Sequence, residues 1–370
     1  MADASLDLLI AYADDHAVAG PAHARYLAGL APHFEPVCVL VPAVGKPLLL
    51  SGPETESYAQ LTARIQDVRV IREFTHPDEE YPFTTLSPLR DVLAEATGRA
   101  GTRCRRAGIA GLDLMPVRIC RAFEAALQSA EIVDAESVAT GLRAIKSPAE
   151  QEVIRYAYGL AQAGMEAASA VARPGISERE VAAAAEYAMR TRGSEGMGID
   201  TIVASGPNAR PILARAGSRR IERDDVLLLT IAPRYEGYHA ALGWPLIFGD
   251  PGAEVRRALA AAAAAQRAGM AAMRAGRPGG EVERAARSVI EAAGLGPYFL
   301  YSGVHSVGVV EFEPPIFGPN SRVPLEPGMV LSIDVPLFHA PWGGLRIEHG
   351  YLVTEEGVEP LAPLPDGDPW

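Results

Sequence analysis

The sequence predicts two domains: an α/β N-terminal domain over residues 1–142, and an α+β C-terminal domain over residues 143–370 with an internal pseudo-two-fold repeat. Three observations predict this. The first 140 residues alternate strand-like apolar runs with helical segments, the pattern of a mixed or parallel sheet with crossover helices. A helix-start signal, Ser147-Pro148-Ala149-Glu150, breaks that alternation. Beyond it, one order of elements occurs twice, about 100 residues apart. A chain of 370 residues is long enough to give each domain its own core.

In the N-terminal part, Leu8–Tyr12, Val37–Val41, Lys46–Leu50, Val68–Ile71 and Ala107–Leu112 read as strands. They are short, apolar or β-branched, and bounded by turn residues. Ala22–Leu30, Thr55–Ile65, Pro88–Ala100 and Pro116–Ala130 read as the helices between them, with Ser87 placed to cap the third. No glycine-rich strand–loop–helix turn of the dinucleotide-binding kind occurs.

In the C-terminal part, Ser147 and Glu150 form a capping box, and a helix runs from Pro148 to about Val171. Arg173-Pro174-Gly175 ends it. Ser177 and Glu180 form a second box, opening a helix to about Arg192. The plan then recurs. Ala161-Gln-Ala-Gly-Met165 precedes the first Arg-Pro-Gly, and Ala265-Gln-Arg-Ala-Gly-Met270 precedes the second, Arg277-Pro278-Gly279. Two similar halves place a ligand site between them, where strands from both converge.

Composition narrows the function. No run of about 18 apolar residues occurs, so no membrane span is expected. A net charge of −12 disfavours nucleic acid as a partner, because phosphate contacts need clustered Lys and Arg. Only Lys46 and Lys146 are lysines, which reads as genome composition. The three cysteines, Cys38, Cys104 and Cys120, are odd in number and irregularly spaced. They predict neither a disulfide framework nor a thiolate metal site. With no basic leader at the N-terminus, the expected location is the cytoplasm.

Several segments, in order, resemble one family. They are the linker Leu142-Arg-Ala-Ile-Lys-Ser-Pro-Ala-Glu-Gln151, the loop Ala204-Ser-Gly-Pro-Asn208, and the hairpin Asp225 to Tyr238. His305-Ser-Val-Gly308, Leu325-Glu-Pro-Gly-Met329 and Arg346-Ile-Glu348 complete the set. The chain is similar to the pitta-bread family, which contains creatinase, prolidase, aminopeptidase P and methionine aminopeptidase. The resemblance implies a homodimer and a catalytic-type C-terminal domain. Metal-dependent members hold two divalent ions with two Asp, one His and two further acidic residues. Here the resemblance assigns those positions to Thr230, Ala241, His305, Asp334 and Glu348. Thr is a poor ligand and Ala is none. The second family histidine is Phe312. These departures disfavour an ordinary two-ion peptidase. Creatinase, a metal-free member, also carries Ala at the second Asp position, in a run that Gly237-Tyr-His-Ala-Ala-Leu242 resembles. Its acidic residue after Ala-Leu is here Gly243, so creatine hydrolysis does not transfer.

From alternation along strands, His239 should share a direction with Ala241 and point where the missing Asp would lie. His305, Asp334 and Glu348 should converge there. Glu311 and Glu313 should face one way, with Phe312 opposite. Carboxylates held close need compensation. One divalent metal on His239, His305, Asp334 and Glu348 would supply it. So would a cationic substrate group, or Arg346 with Arg210 or Arg215. The expected catalytic set is His305, His239, Glu348 and Asp334. Substrate contacts are expected from Glu311, Glu313, Arg346 and Trp244. The expected cofactor is none or one divalent metal ion, and the substrate is a small molecule. Three functions stay open: a creatinase-like hydrolase of a small-molecule C–N bond, metal-free or mono-metal; a non-catalytic binding protein; or an Xaa-Pro-type metallopeptidase with an atypical metal site. His16, His23, His33 and His76 read as surface or structural. His339 and Trp342 read as loop packing.

Overall fold

All six residues of Leu8–Ala13 (β1) are buried, as a central strand covered on both faces requires. The computed structural model describes residues 2, 4–98, 104–128 and 130–363 and divides between Arg143 and Ala144. The predicted helix end at Ala100 and the outermost residues of both predicted domains lie outside the described residues.

In the first unit, β1 is joined by Val37–Pro42 (β2), Leu48–Ser51 (β3), Val68–Ile71 (β4), Leu86–Ser87 (β5), Arg106–Ala110 (β6) and Glu131–Asp134 (β7). The sheet order is β5-β4-β3-β2-β1-β6-β7. β1 runs antiparallel to β2 and parallel to β6, so the sheet is mixed. The helices are Ala22–Ala28 (α1), Glu56–Thr62 (α2), Leu89–Gly98 (α3), Val117–Ala126 (α4) and Glu136–Arg143 (α5). Alternate residues of β1 enter two cores: Leu8, Ile10 and Tyr12 on one face, Leu9, Ala11 and Ala13 on the other. Three predicted helices end early, the third being α4, which stops at Ala126 rather than Ala130. Past α1, Gly29 adopts a left-handed φ of 71°, and past α2, Ala63 is extended. Ser87 lies in β5 rather than capping a helix. The sequence pattern missed β7, an edge strand without a fully buried residue.

In the second unit, the helix pair Pro148–Val171 (α6) and Glu178–Arg190 (α7) is echoed by Ala253–Ala272 (α8) and Gly280–Ala292 (α9). Both capping boxes are formed, at Ser147–Glu150 and at Ser177–Glu180. The second copy begins differently. A Cβ on Gly280 would lie 2.7–3.0 Å from the carbonyl oxygens of Ser321, Gly318 and Pro319, so only glycine fits.

The strands are Gly196–Met197 (β8), Ile202–Ser205 (β9), Val226–Ile231 (β10), Pro233–Tyr235 (β11), Tyr238–His239 (β12), Leu242–Gly243 (β13), Leu246–Ile247 (β14), Val304–Ser306 (β15), Glu313–Ile316 (β16), Val330–Ala340 (β17), Gly343–Val353 (β18) and Val358–Pro360 (β19). Nine of them form one sheet in the order β14-β10-β13-β18-β17-β15-β16, with β9 and β19 at its sides. β12, β11 and β8 form a separate three-stranded sheet. Leu331, Ile333, Val335, Ile347 and Tyr351 pack with α8 and α9, and Val330 and Leu352 join the cluster formed with α6 and α7. Among the described residues no helix is long and apolar enough to cross a membrane.

Candidate functional site

Strand register assembles the site. Thr230 of β10 pairs with Gly243 of β13, Gly243 with Glu348 of β18, Glu348 with Asp334 of β17, and Ser332 of β17 with His305 of β15. Directly opposed residues share a face, and so do residues two apart on one strand. Thr230, Glu348, Arg346, Asp334, Ser332 and His305 therefore face the same side of the sheet. Gly243 is tight here: a Cβ would lie 3.0 Å from the Glu348 Cβ and 3.2 Å from the Arg346 side chain.

At the centre, His305 Nε2 lies 3.5 Å from Glu348 Oε1, and both side chains are buried. His305 Nδ1 faces the Ser306 carbonyl at 3.1 Å, so an Nδ1–H donates there and Nε2 is the ring atom turned to Glu348. Ser332 Oγ donates to Glu348 Oε1 at 2.9 Å. Ligand atoms of His305, Glu311 and Glu348 all lie within 4.8 Å of one another. Glu311 is 8% exposed and makes no hydrogen bond or ion pair to any described residue. Burial, reinforced by the negative charge of Glu348, pushes its carboxyl up to about 7. Burial acts against the charged form of Glu348, but His305 and Arg346 outweigh it and hold the carboxyl below its usual value. Burial also acts against the His305 imidazolium, yet the Glu348 hydrogen-bond interaction and the charge of Glu311 leave it raised. The Phe312 ring covers His305 with centroids 4.1 Å apart, and is itself 39% exposed.

Two neighbouring acids have cations of their own. Asp334 Oδ1 lies 3.2 Å from Arg346 Nε, and Asp334 Oδ2 accepts from Tyr301 Oη at 2.6 Å. Arg346 Nη2 donates to Tyr301 Oη at 2.6 Å, and the guanidinium stands over Phe338. Burial raises Asp334 to about 6, against the pull of Arg346. Glu313 Oε1 lies 3.2 Å from the buried Lys146 Nζ, which also donates to Ser306 Oγ at 2.7 Å.

The structure corrects several sequence-based expectations. His239 is not among the three convergent side chains: its Nδ1 faces the Gly308 carbonyl at 3.1 Å, and burial lowers it to about 4. β12 stops at His239 and β13 begins at Leu242 in another sheet, so strand alternation does not carry across the break. Asp334 is held by Arg346 and Tyr301 rather than joining that cluster, and Arg346 is its counter-ion rather than an open substrate contact. Glu313 is likewise occupied by Lys146. Phe312 does not point away, because β16 starts only at Glu313 and the preceding residues lie outside any strand.

Trp244 and Leu242 flank Gly243 and so face away from Glu348, as does His349. All three line a separate cavity of about 590 Å³ with Gln162, Met165 and Glu166. Arg210 meets His339 only through its carbonyl, and Arg215 pairs with Asp200 on the surface. Lys146, Tyr301 and Ser332 were missed by sequence reasoning; each is far in sequence from the residues it holds.

The fold and this site define a class. The pattern of metallopeptidase family M24 matches residues 152–355, and that of the creatinase/prolidase N-terminal domain matches residues 1–145. The chain belongs to metallopeptidase family M24. It is 33% identical over 226 residues to an Xaa-Pro dipeptidase of Pyrococcus furiosus, an alignment covering 61% of this chain and 65% of that relative. It is 30% identical over 243 residues to an uncharacterized peptidase of Bacillus subtilis, covering 66% and 69%. Among solved structures, the prolidase from Pyrococcus furiosus superposes with a TM-score of 0.81 at 25% identity, covering 99% of each chain. The prolidase from Pyrococcus horikoshii gives 0.84 at 24% identity, covering 100% and 97%.

Proposed function

We propose that the chain is a hydrolase of C–N bonds in small molecules, working from His305, Glu311 and Glu348 and without a two-ion centre. The kinship with Xaa-Pro dipeptidases supports the reaction class. One observation carries the choice of residues: Glu311 is buried and unpartnered beside the His305–Glu348 pair. A group that loses its proton near 7 can take a proton from water and return it to a leaving nitrogen.

A pair of metal ions does not fit the residues present. Thr230 and Ala241 offer a hydroxyl and a methyl where acids would be needed. Asp334 Oδ2 accepts from Tyr301, and Oδ1 stands 3.2 Å from the Arg346 guanidinium as an ion pair without a hydrogen bond. One ion does fit, held by His305, Glu311 and Glu348. Such an ion would polarise the scissile carbonyl and lower the pKa of a water. The chain's own groups do the rest. With no ion bound, Glu311 is the group that carries the proton between water and the leaving nitrogen; with an ion bound it serves as a ligand instead. Ser332 and His305 orient Glu348. Phe312 keeps bulk water off the imidazole. Without an ion, the uncompensated charge favours a substrate bearing an ammonium or guanidinium group. The homodimer implied by the family resemblance and the expected cytoplasmic location belong to the same reading.

The test is turnover. Purified protein is offered Xaa-Pro dipeptides, guanidino compounds and ureido compounds, and release of the amine product is measured. At least one class should be cleaved, with the rate falling on the order of 100-fold or more in Glu311→Gln. A folded protein that cleaves none of the three classes would overturn the proposal in favour of a binding protein.

A further inference from the structure

We infer that His305, Glu311 and Glu348 form a site for a single divalent cation in which Glu311 replaces the acidic ligands absent at positions 230 and 241. The inference deepens the hydrolytic reading and rests on the same three side chains, but it does not require turnover. Four observations carry it.

First, the spacing suits an ion better than a direct bond. His305 Nε2 and Glu348 Oε1 are 3.5 Å apart, long for a hydrogen bond. Two donors bound at about 2.1 Å in a tetrahedral shell stand roughly 3.4 Å apart. The donor atoms of all three residues lie within 4.8 Å of one another.

Second, the surrounding contacts are those of ligands. A metal-binding histidine donates its other ring N–H to a carbonyl, which fixes the free lone pair. His305 Nδ1 faces the Ser306 carbonyl in this way. Glu348 is oriented by the Ser332 hydroxyl. Lys146 binds both ends of the segment between His305 and Glu313, through Ser306 Oγ and Glu313 Oε1, and so fixes the segment that bears Glu311.

Third, polar atoms here lack partners. Glu311 is more than nine-tenths buried and has no hydrogen bond or ion pair to a described residue. Thr230 is fully buried, its hydroxyl unpartnered, on the same face of the sheet as Glu348. A buried hydroxyl without a partner, such as that of Thr230, is a position where an ion or its water can sit. Fourth, the family-position acid that would compete, Asp334, is occupied by Arg346 and Tyr301. One imidazole and two carboxylates suit Zn²⁺, Mn²⁺ or Fe²⁺.

The experiment uses the full chain, stripped with a chelator and titrated with Mn²⁺ and separately Zn²⁺ by calorimetry. Elemental analysis after gel filtration gives the stoichiometry. The expected result is one ion per chain, bound at least tenfold more weakly by Glu311→Gln and unchanged in Tyr301→Phe, which loosens Asp334 without removing its charge. Two ions per chain, no bound ion, or an affinity insensitive to Glu311→Gln would overturn the site. The readout separates this inference from the hydrolytic one. One ion bound without turnover sinks the hydrolase and keeps the site. Turnover by stripped protein that binds no ion sinks the site and keeps the hydrolase.

Discussion

Two groupings on one face of the C-terminal sheet hold acids in opposite ways. Around Asp334 the charge is closed: Arg346 lies 3.2 Å away and Tyr301 donates at 2.6 Å. Lys146 and Glu313 repeat the arrangement nearby. Around Glu311 the charge is open. Glu348 adds a second negative charge, the His305 and Arg346 charges offset it only in part, and Glu311 has no hydrogen bond or ion pair to a described residue. Burial raises Asp334 to about 6 and Glu311 to about 7, and only Asp334 has a guanidinium pulling from contact distance. The difference separates structure from function. A buried acid with its own cation is finished; a buried acid without one still calls for a proton, an ion or a substrate.

The closed group is the place to break the comparison, and there the largest effect is expected. Arg346→Met strips Asp334 of its cation and should destabilise the protein by about 3–5 kcal/mol in chemical denaturation. Lys146→Met should act likewise through Glu313. A cost below about 1 kcal/mol in both would mean that the closed pairs are not what keeps those acids charged. Phe312→Ala sharpens the open group. It removes a ring contact at 4.1 Å on a half-exposed residue and should cost only about 0.5–1.5 kcal/mol. It should also make the His305 ring protons exchange faster with water by NMR. Unchanged exchange would show that Phe312 does not shield the imidazole.

Much of this was legible in the sequence. Both capping boxes, the repeated helix pairs and the buried central strand follow from local patterns. His305, Asp334 and Glu348 were placed on one face by ordered motifs, and register brings them there. What failed was extrapolated alternation. His239 and Phe312 lie next to chain segments that leave the strand, so the two-residue period no longer sets their direction. Trp244 failed by parity, since it neighbours a site position and therefore faces the other side. Lys146 looked like a trait of composition because its partners, Ser306 and Glu313, are 160 and 167 residues away. Whether an acid is open or closed depends on such distant partners, so the sequence could name the acids but not sort them.

The central claim is that Glu311 is the uncompensated acid. A carboxyl whose folded pKa is raised from 4.5 to about 7 favours folding while protonated. Its contribution is complete below about pH 4.5 and is lost as pH rises through about 7. The deciding measurement is the unfolding free energy of chelator-treated protein at pH 4 and pH 8, wild type against Glu311→Gln. At pH 8 the variant should be more stable by about 1–3 kcal/mol, because the amide removes a buried charge. At pH 4 the two should be nearly equal. A variant that is less stable than wild type at pH 8 would contradict the account, since Glu311 would then have a partner that holds it charged.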